Sequence, residues 1–380
     1  MLSKLKLAYK MEITKQTQSA GDNSTQMQAG VINNNYTIVN GIDEARARDI
    51  WKEEYALACK EWTSEAERIA HERVAQLENK VMPKMLSYDA SLRFLSDPSF
   101  LFLLRKAQIT AASSEREADY DMLSDLLLHR LEQSENRERR LGITKAIEIV
   151  DQLSDESVIG LSMIYAITKF EPTSEDLHDG LLVLNKLYEK IIEGKDLPKG
   201  KDWLEHLDIL SAIRLVPQGV NSFKKAEQYL PAMFAKHLVS GVKEDSEEYE
   251  KIKIDFQQCD LPPCFVPHPL KPGYMKLKIS NDIDDIYVVH QDQGGRSVRI
   301  PLNEEQRIVM NKAIDIARKD EHKNNELGLR LIEKWNELPT LNIVREWWNS
   351  IPSYFSITPI GSAIANAYIR GKDPTIPSLY

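Results

Sequence analysis

The 380-residue sequence has few cysteines, no excess of positive charge and no long apolar run. Its three cysteines, Cys59, Cys259 and Cys264, are sparse and odd in number, which argues against a disulfide framework and for a reducing compartment such as the cytoplasm. Lys and Arg number 49 against 58 Asp and Glu, a net charge of −9. Composition therefore gives no overall pull toward nucleic acid or an anionic membrane. Apolar runs such as Phe100 to Leu104 fall far short of the ~20 residues a spanning helix needs, so no membrane partner is expected. The phosphate-loop, dinucleotide, zincin and hydrolase-elbow spacings are all missing. No catalytic residue and no cofactor is assigned.

What the chain does have is an ordinary globular composition, 42% hydrophobic and 28% charged, with enough length for more than one domain. The residues predict a mainly α protein with five segments. Residues 1–17 form a leader in which Met11 is an alternative start. Residues 18–41 are a short Asn/Gln-rich β segment, 42–258 a helical bundle, 259–275 a proline-rich linker or crossing loop, and 276–380 a small α+β module resembling a winged helix.

Within the bundle, Trp51, Tyr55, Ala58, Trp62, Ala66, Ile69, Val74, Leu77 and Val81 recur at helical spacing. They predict one long amphipathic helix from about Asp43 to just before Pro83. Between Met85 and Ser240 breakers divide the text into roughly six helices. Asp97-Pro98 supplies an N-cap with proline at the first helical position, and Thr173 with Asp176 resembles a capping box. Trp203, Leu207 and Leu210 share a face and are assigned to the core. Beyond the prolines at 262, 263, 267, 269 and 272, the runs Tyr274 to Ile279, Ile286 to His290 and Ser297 to Ile300 predict a small antiparallel sheet. Gly294-Gly295 supplies the turn between the last two. Helices follow at Asn303 to Lys319, Asn325 to Glu337, Leu341 to Asn349 and Ser362 to Ile369.

Several clusters hold residue types that carry chemistry elsewhere. Cys259, Cys264 and His268 do not match a zinc-knuckle spacing, and Asp282, Asp284 and Asp285 lack the glycine and closing Glu of a calcium loop, so no metal site is assigned. Arg137, Arg139 and Arg140 interleave with Glu135 and Glu138 and suit helix-surface ion pairs. Nucleic-acid contact, a weaker partner assignment, would fall to Arg296, Arg299, Arg345 and Trp348, the last if one indole of Trp347-Trp348 is exposed to stack on a base.

The segment Gln18 to Gly41 is nearly uncharged and ends in β-prone residues. In extended backbone Thr25, Met27 and Ala29 point one way and Ser24, Gln26 and Gln28 the other. A lone two-stranded hairpin is too small to be stable. Copies stacked in register could pair Asn23, Gln26, Gln28, Asn33, Asn34 and Asn35 in amide ladders around Met27, Val31, Tyr36 and Ile38. These ten residues are the assigned self-association surface, and the low charge avoids like-charge repulsion across it.

Gln18-x-x-Gly21-Asp22-Asn23-Ser24-x-x-x-Gln28-x-Gly30 is similar to an N-terminal segment of various bacterial proteins, several associated with anti-phage defence. The remainder resembles an uncharacterised bacterial family through Arg345-Glu346-Trp347-Trp348, Ile357-Thr358-Pro359-Ile360-Gly361 and Pro377. The resemblance implies a non-enzymatic, self-assembling sensor or scaffold with a possible protein effector, and carries over no catalytic residue. The alternative from another class is a nucleic-acid-binding regulator using the C-terminal module.

Overall fold

A computed structural model describes residues 42–58, 63–132, 136–172, 174, 176–216, 224–278, 283, 286–291, 297–318 and 325–377. The assigned assembly residues Asn23 to Ile38, together with Arg296 and the aspartates at 282, 284 and 285, lie outside the described residues.

The described chain is mainly helical. In order it runs α1 (Glu44–Ala58), α2 (Ser64–Tyr88), α3 (Pro98–Ser113), α4 (Glu117–Glu132), α5 (Arg137–Ile149), α6 (Asp155–Lys169), α7 (Leu177–Ile192), α8 (Asp202–Ile209), β1 (Ile213–Leu215), α9 (Ala226–Met233), β2 (Val242–Lys243), α10 (Glu247–Gln258), β3 (Phe265–Pro267), β4 (Tyr274–Leu277), β5 (Tyr287–Gln291), β6 (Ser297–Pro301), α11 (Glu304–Arg318), α12 (Asn325–Asn336), α13 (Pro339–Ser350), β7 (Phe355–Ile357) and α14 (Pro359–Lys372).

The single long helix expected from Asp43 to Pro83 is two helices. Thr63 caps a new start by accepting from the Ala66 amide, and Glu65 and Glu67 complement the positive end of α2. Pro83 lies inside α2 and does not end it. Both Pro83 and Asn79, whose carbonyl the proline leaves without its helical donor, are on the exposed face of the helix. Asp97 caps α3 as expected, its carboxylate accepting from the Ser99 amide at 2.9 Å. The start of α7 falls later than the Thr173 reading placed it: Asp176 is the cap, taking the Asp179 amide at 3.0 Å.

The strands form three small antiparallel sheets and not one. β4 sits between β2 and β3; β5 and β6 pair from Tyr287↔Pro301 to Gln291↔Ser297; β7 pairs with β1, far upstream. Two apolar cores follow. A small one gathers Ile252, Phe256, Leu261, Leu302, Met310 and Ala313 from α10, α11 and the segments beside them. The larger holds the bundle, and α12, α13 and α14 from the end of the chain belong to it. Helices α6 and α14 are its centre. Every residue from Ser157 to Ile167 and from Ala363 to Ile369 is buried, as expected of helices apolar on nearly all sides, and the two pack on each other.

Where α8, β1 and α14 meet, the motif Ile357 to Gly361 has a specific geometric role. The Thr358 amide donates to the Ala212 carbonyl at 3.0 Å, and its hydroxyl lies 2.7 and 2.9 Å from the Ser211 and Ala212 carbonyls. The same hydroxyl oxygen accepts from the Gly361 amide, capping α14. A Cβ on Gly361 would lie 2.1 Å from the Ala212 carbonyl oxygen, so only glycine lets α14 begin this close to the β1 strand.

Candidate functional site

The indoles of this part of the chain are tied to backbone. Trp347 donates to the Pro198 carbonyl and Trp348 to the Lys224 carbonyl, each at 2.7 Å, and both side chains are buried, 6% and 4% exposed. Neither projects from the helix as a free stacking platform, which corrects the expectation that one would. Arg345 is likewise engaged, with Glu227 at 2.8 Å, Asn336 at 2.7 Å and Asn342 at 3.2 Å, so this guanidinium fastens α13 to α9 and to the end of α12. Arg299 is exposed and lies over the Tyr287 ring, 4.5 Å from its centroid. Of the nucleic-acid candidates among the described residues, Arg345 and Trp348 share α13, whereas Arg299 stands on the β5–β6 hairpin.

The cysteine cluster has other work. His268 places Nε2 2.6 Å from the Val239 carbonyl and accepts the Leu270 amide at Nδ1, and burial pushes its pKa down. Burial raises the Cys264 thiol to about 11, and the Cys259 carbonyl accepts from Gln306. These groups fix the loop between α10 and β4.

What the structure does assemble is a cleft of about 490 Å³ lined from five separate elements. Ile164, Thr168 and Lys169 come from the end of α6, Lys224 and Tyr229 from the entry and body of α9, and Trp348 from α13. Tyr354, Phe355 and Ile357 come from β7 and the residue before it, and Ser362 from the first turn of α14. The walls are held from behind. Phe355 meets the edge of Trp203 at 6.3 Å, Trp348 lies against Tyr229 with ring centroids 5.1 Å apart, and the β1–β7 ladder fixes Phe355 opposite Leu215.

The electrostatics of the cleft are one-sided. Lys169 and Lys224 are its charged lining residues, both exposed, and among the described residues neither ammonium has an ion-pair partner. The first turn of α14 adds the partial positive charge of a helix start, while the ends of α6 and α13 oppose it with similar partial charges. Two full lysine charges outweigh those halves. The Tyr229 phenol is raised by burial and, to a lesser degree, by the carboxylate of Glu171 nearby. The arrangement combines apolar walls, aromatic faces and two cations at an open mouth, which suits a small amphiphilic anion.

Sequence reasoning singled out Trp348 but not its setting, and it missed Lys169, Lys224 and Tyr229. Thr358-Pro359-x-Gly361 was the one local signal near the site. Among the described residues no helix is long and apolar enough to cross a membrane, and no three His, Cys, Asp or Glu side chains gather as a metal site. No curated protein and no solved structure matches the chain. The model of one uncharacterised protein family does match, over residues 41–376, a span holding the whole described bundle, both cores and every residue of the cleft; the chain belongs to that family.

Proposed function

We propose that the protein is a non-enzymatic, self-assembling protein of the bacterial cytoplasm that serves as a sensor or scaffold in anti-phage defence, its copies joined through residues 18–41. The observation that carries this reading is the nearly uncharged, alternating Asn/Gln-rich stretch placed directly before α1. Such a stretch buries too little to be stable alone and gains its partners only from further copies of itself. The likeness of Gln18 to Gly30 to segments of defence-associated bacterial proteins supplies the context. A bundle carrying a cleft with cationic and aromatic walls suits a sensor better than a bare scaffold.

The test is particle mass by light scattering for the full chain and for a version beginning at Asp43. A defined oligomer that becomes smaller on truncation supports the reading; a monomeric full chain at cellular concentration refutes it.

A second reading, a regulator that binds nucleic acid through a winged-helix-like C-terminal module, draws on Arg299 stacked over Tyr287 at the exposed hairpin. Gel-shift titration at low salt tests it, because phosphate contacts are strongest there. No shift with duplex or single strands removes it.

A further inference from the structure

We propose that the cleft between α6, α9, α13 and the start of α14 binds a small organic anion with a flat aromatic body. The inference deepens the sensor reading by assigning that sensor a ligand class.

Size comes first. About 490 Å³ lies within the ~300–1,000 Å³ typical of small-molecule sites and is far too small for a protein segment or a nucleic-acid strand. Shape and polarity come next. Ile164, Phe355 and Ile357 offer apolar surface, and Tyr229, Tyr354 and Trp348 offer rings, so the body of the ligand is apolar and accepts aromatic contact. The side chains of Thr168 and Ser362 add hydroxyl oxygens for an edge group.

Charge then fixes the sign. Among the described residues the two charged lining residues are both lysines and no carboxylate lines the cleft, and Ser362 lies in the first turn of α14, where the helix dipole adds partial positive charge. The carboxylate of Glu171 opposes this sign, acting on the lining residue Tyr229 through its phenol. The cleft is also preorganised. Trp348 is locked by its bond to the Lys224 carbonyl, and the Tyr354 backbone carbonyl accepts the Val216 amide at 3.1 Å, which holds the main chain of this wall in place before binding.

The experiment is isothermal titration calorimetry on the full chain with four probes: adenosine monophosphate, indole-3-acetate, adenosine and inorganic phosphate. The two aromatic anions separate a phosphate head from a carboxylate head. Binding of either one, with adenosine and phosphate alone at least tenfold weaker, is the expected result. The double variant Lys169→Met/Lys224→Met should lose roughly 10–100-fold in affinity, as expected for one or two charge-assisted bonds, with its thermal midpoint unchanged because both side chains are exposed. Glu171→Gln should tighten binding a few-fold. Adenosine binding as tightly as its monophosphate, inorganic phosphate alone binding as tightly as either aromatic anion, a double variant that binds like wild type, or no binding by either aromatic anion overturns the proposal. No binding by a chain that still forms a defined oligomer removes the ligand and leaves assembly standing, whereas binding by a monomer does the reverse.

Discussion

Two glycines in helices should respond to the same substitution with opposite signs. Gly→Ala inside a helix ordinarily gains about 0.5–1 kcal/mol, because alanine loses less backbone freedom on folding. Gly328 in α12 should follow that rule: its added Cβ would meet Pro231 at 3.4 and 3.6 Å, ordinary van der Waals contact. Gly361 should not. Its Cβ would stand 2.1 Å from the Ala212 carbonyl oxygen and 2.9 Å from the carbonyl carbon, so backbone must move by more than 1 Å to reach normal contact. That movement pulls α14 away from the Ser211 and Ala212 carbonyls, which accept the Thr358 hydroxyl at 2.7–2.9 Å and, at Ala212, its amide at 3.0 Å. Losing two such bonds costs about 1–3 kcal/mol, and opening the packing around the buried run Ala363 to Ile369 adds a comparable amount. Gly361→Ala is therefore expected to lose roughly 3–5 kcal/mol while Gly328→Ala gains up to about 1. Urea unfolding followed by far-ultraviolet circular dichroism reads both as midpoint shifts at constant slope. Equal responses of the two variants, or a Gly361→Ala protein as stable as wild type, would refute the reasoning that a backbone contact and not helix propensity governs residue 361.

Three further outcomes follow from named contacts. Thr358→Val keeps the shape of the side chain but removes the bond its hydroxyl donates to the 211–212 carbonyls and the α14 cap it accepts, and should cost about 1–2 kcal/mol in the same urea assay. Arg345→Leu leaves Glu227, Asn336 and Asn342 without their shared cation, and should increase hydrogen exchange in α9 and the end of α12 while leaving α3 to α5 unchanged. Asp125 and His129 predict a cancellation in pH. Burial raises the Asp125 carboxyl to about 6, against the charges of Arg370 and Lys84 and with a small contribution from Glu132. Folding therefore takes up a proton there, and the contribution of this group falls as pH rises toward 6. Burial, then Arg370 and Lys84, lowers His129 to about 4, so folding releases a proton and the contribution of the histidine rises with pH from 4 to its ordinary ~6.5. In the wild type the two slopes offset each other between about pH 4 and 6. In Asp125→Asn the histidine slope is left alone, and urea stability should climb by roughly 2 kcal/mol across that interval. An Asp125→Asn profile parallel to wild type would refute the proton uptake assigned to Asp125.

Much of the helical architecture was legible because its signals are local. Asp97-Pro98 caps α3, and Asn303 with Gln306 forms a reciprocal cap at the start of α11, its carboxamide taking the Gln306 amide at 2.8 Å while Gln306 takes the Asn303 amide at 3.1 Å. The β5–β6 hairpin was likewise marked by the β-prone runs Ile286 to His290 and Ser297 to Ile300, which overlap the paired strands. The boundary between α1 and α2 was missed because apolar spacing runs on through it with no Gly or Pro. Only Thr63 followed by acidic residues marks the new start. Pro83 was misread for the converse reason: a proline on the exposed face of a helix costs less than one whose partner carbonyl is buried.

The cleft was illegible for a different reason, and Trp348 shows it. An aromatic residue beside a second tryptophan and an arginine reads locally as a surface motif, because spacing along α13 says which residues share a face but not what covers that face. The cover comes from Tyr229 and the Lys224 carbonyl, more than a hundred residues upstream, and from β7, which is held in place by β1. Each of those elements has its own local sense: α6 is a core helix, α9 a short amphipathic one, β7 a three-residue strand. Only the register Leu215↔Phe355 and the contact of Gly361 with Ala212 bring Lys169, Lys224 and Ser362 to one opening. The site is therefore a property of long-range closure. The sequence features most diagnostic of it are the residues that make the closure possible, Thr358 and Gly361, and not the lysines and rings that would touch a ligand.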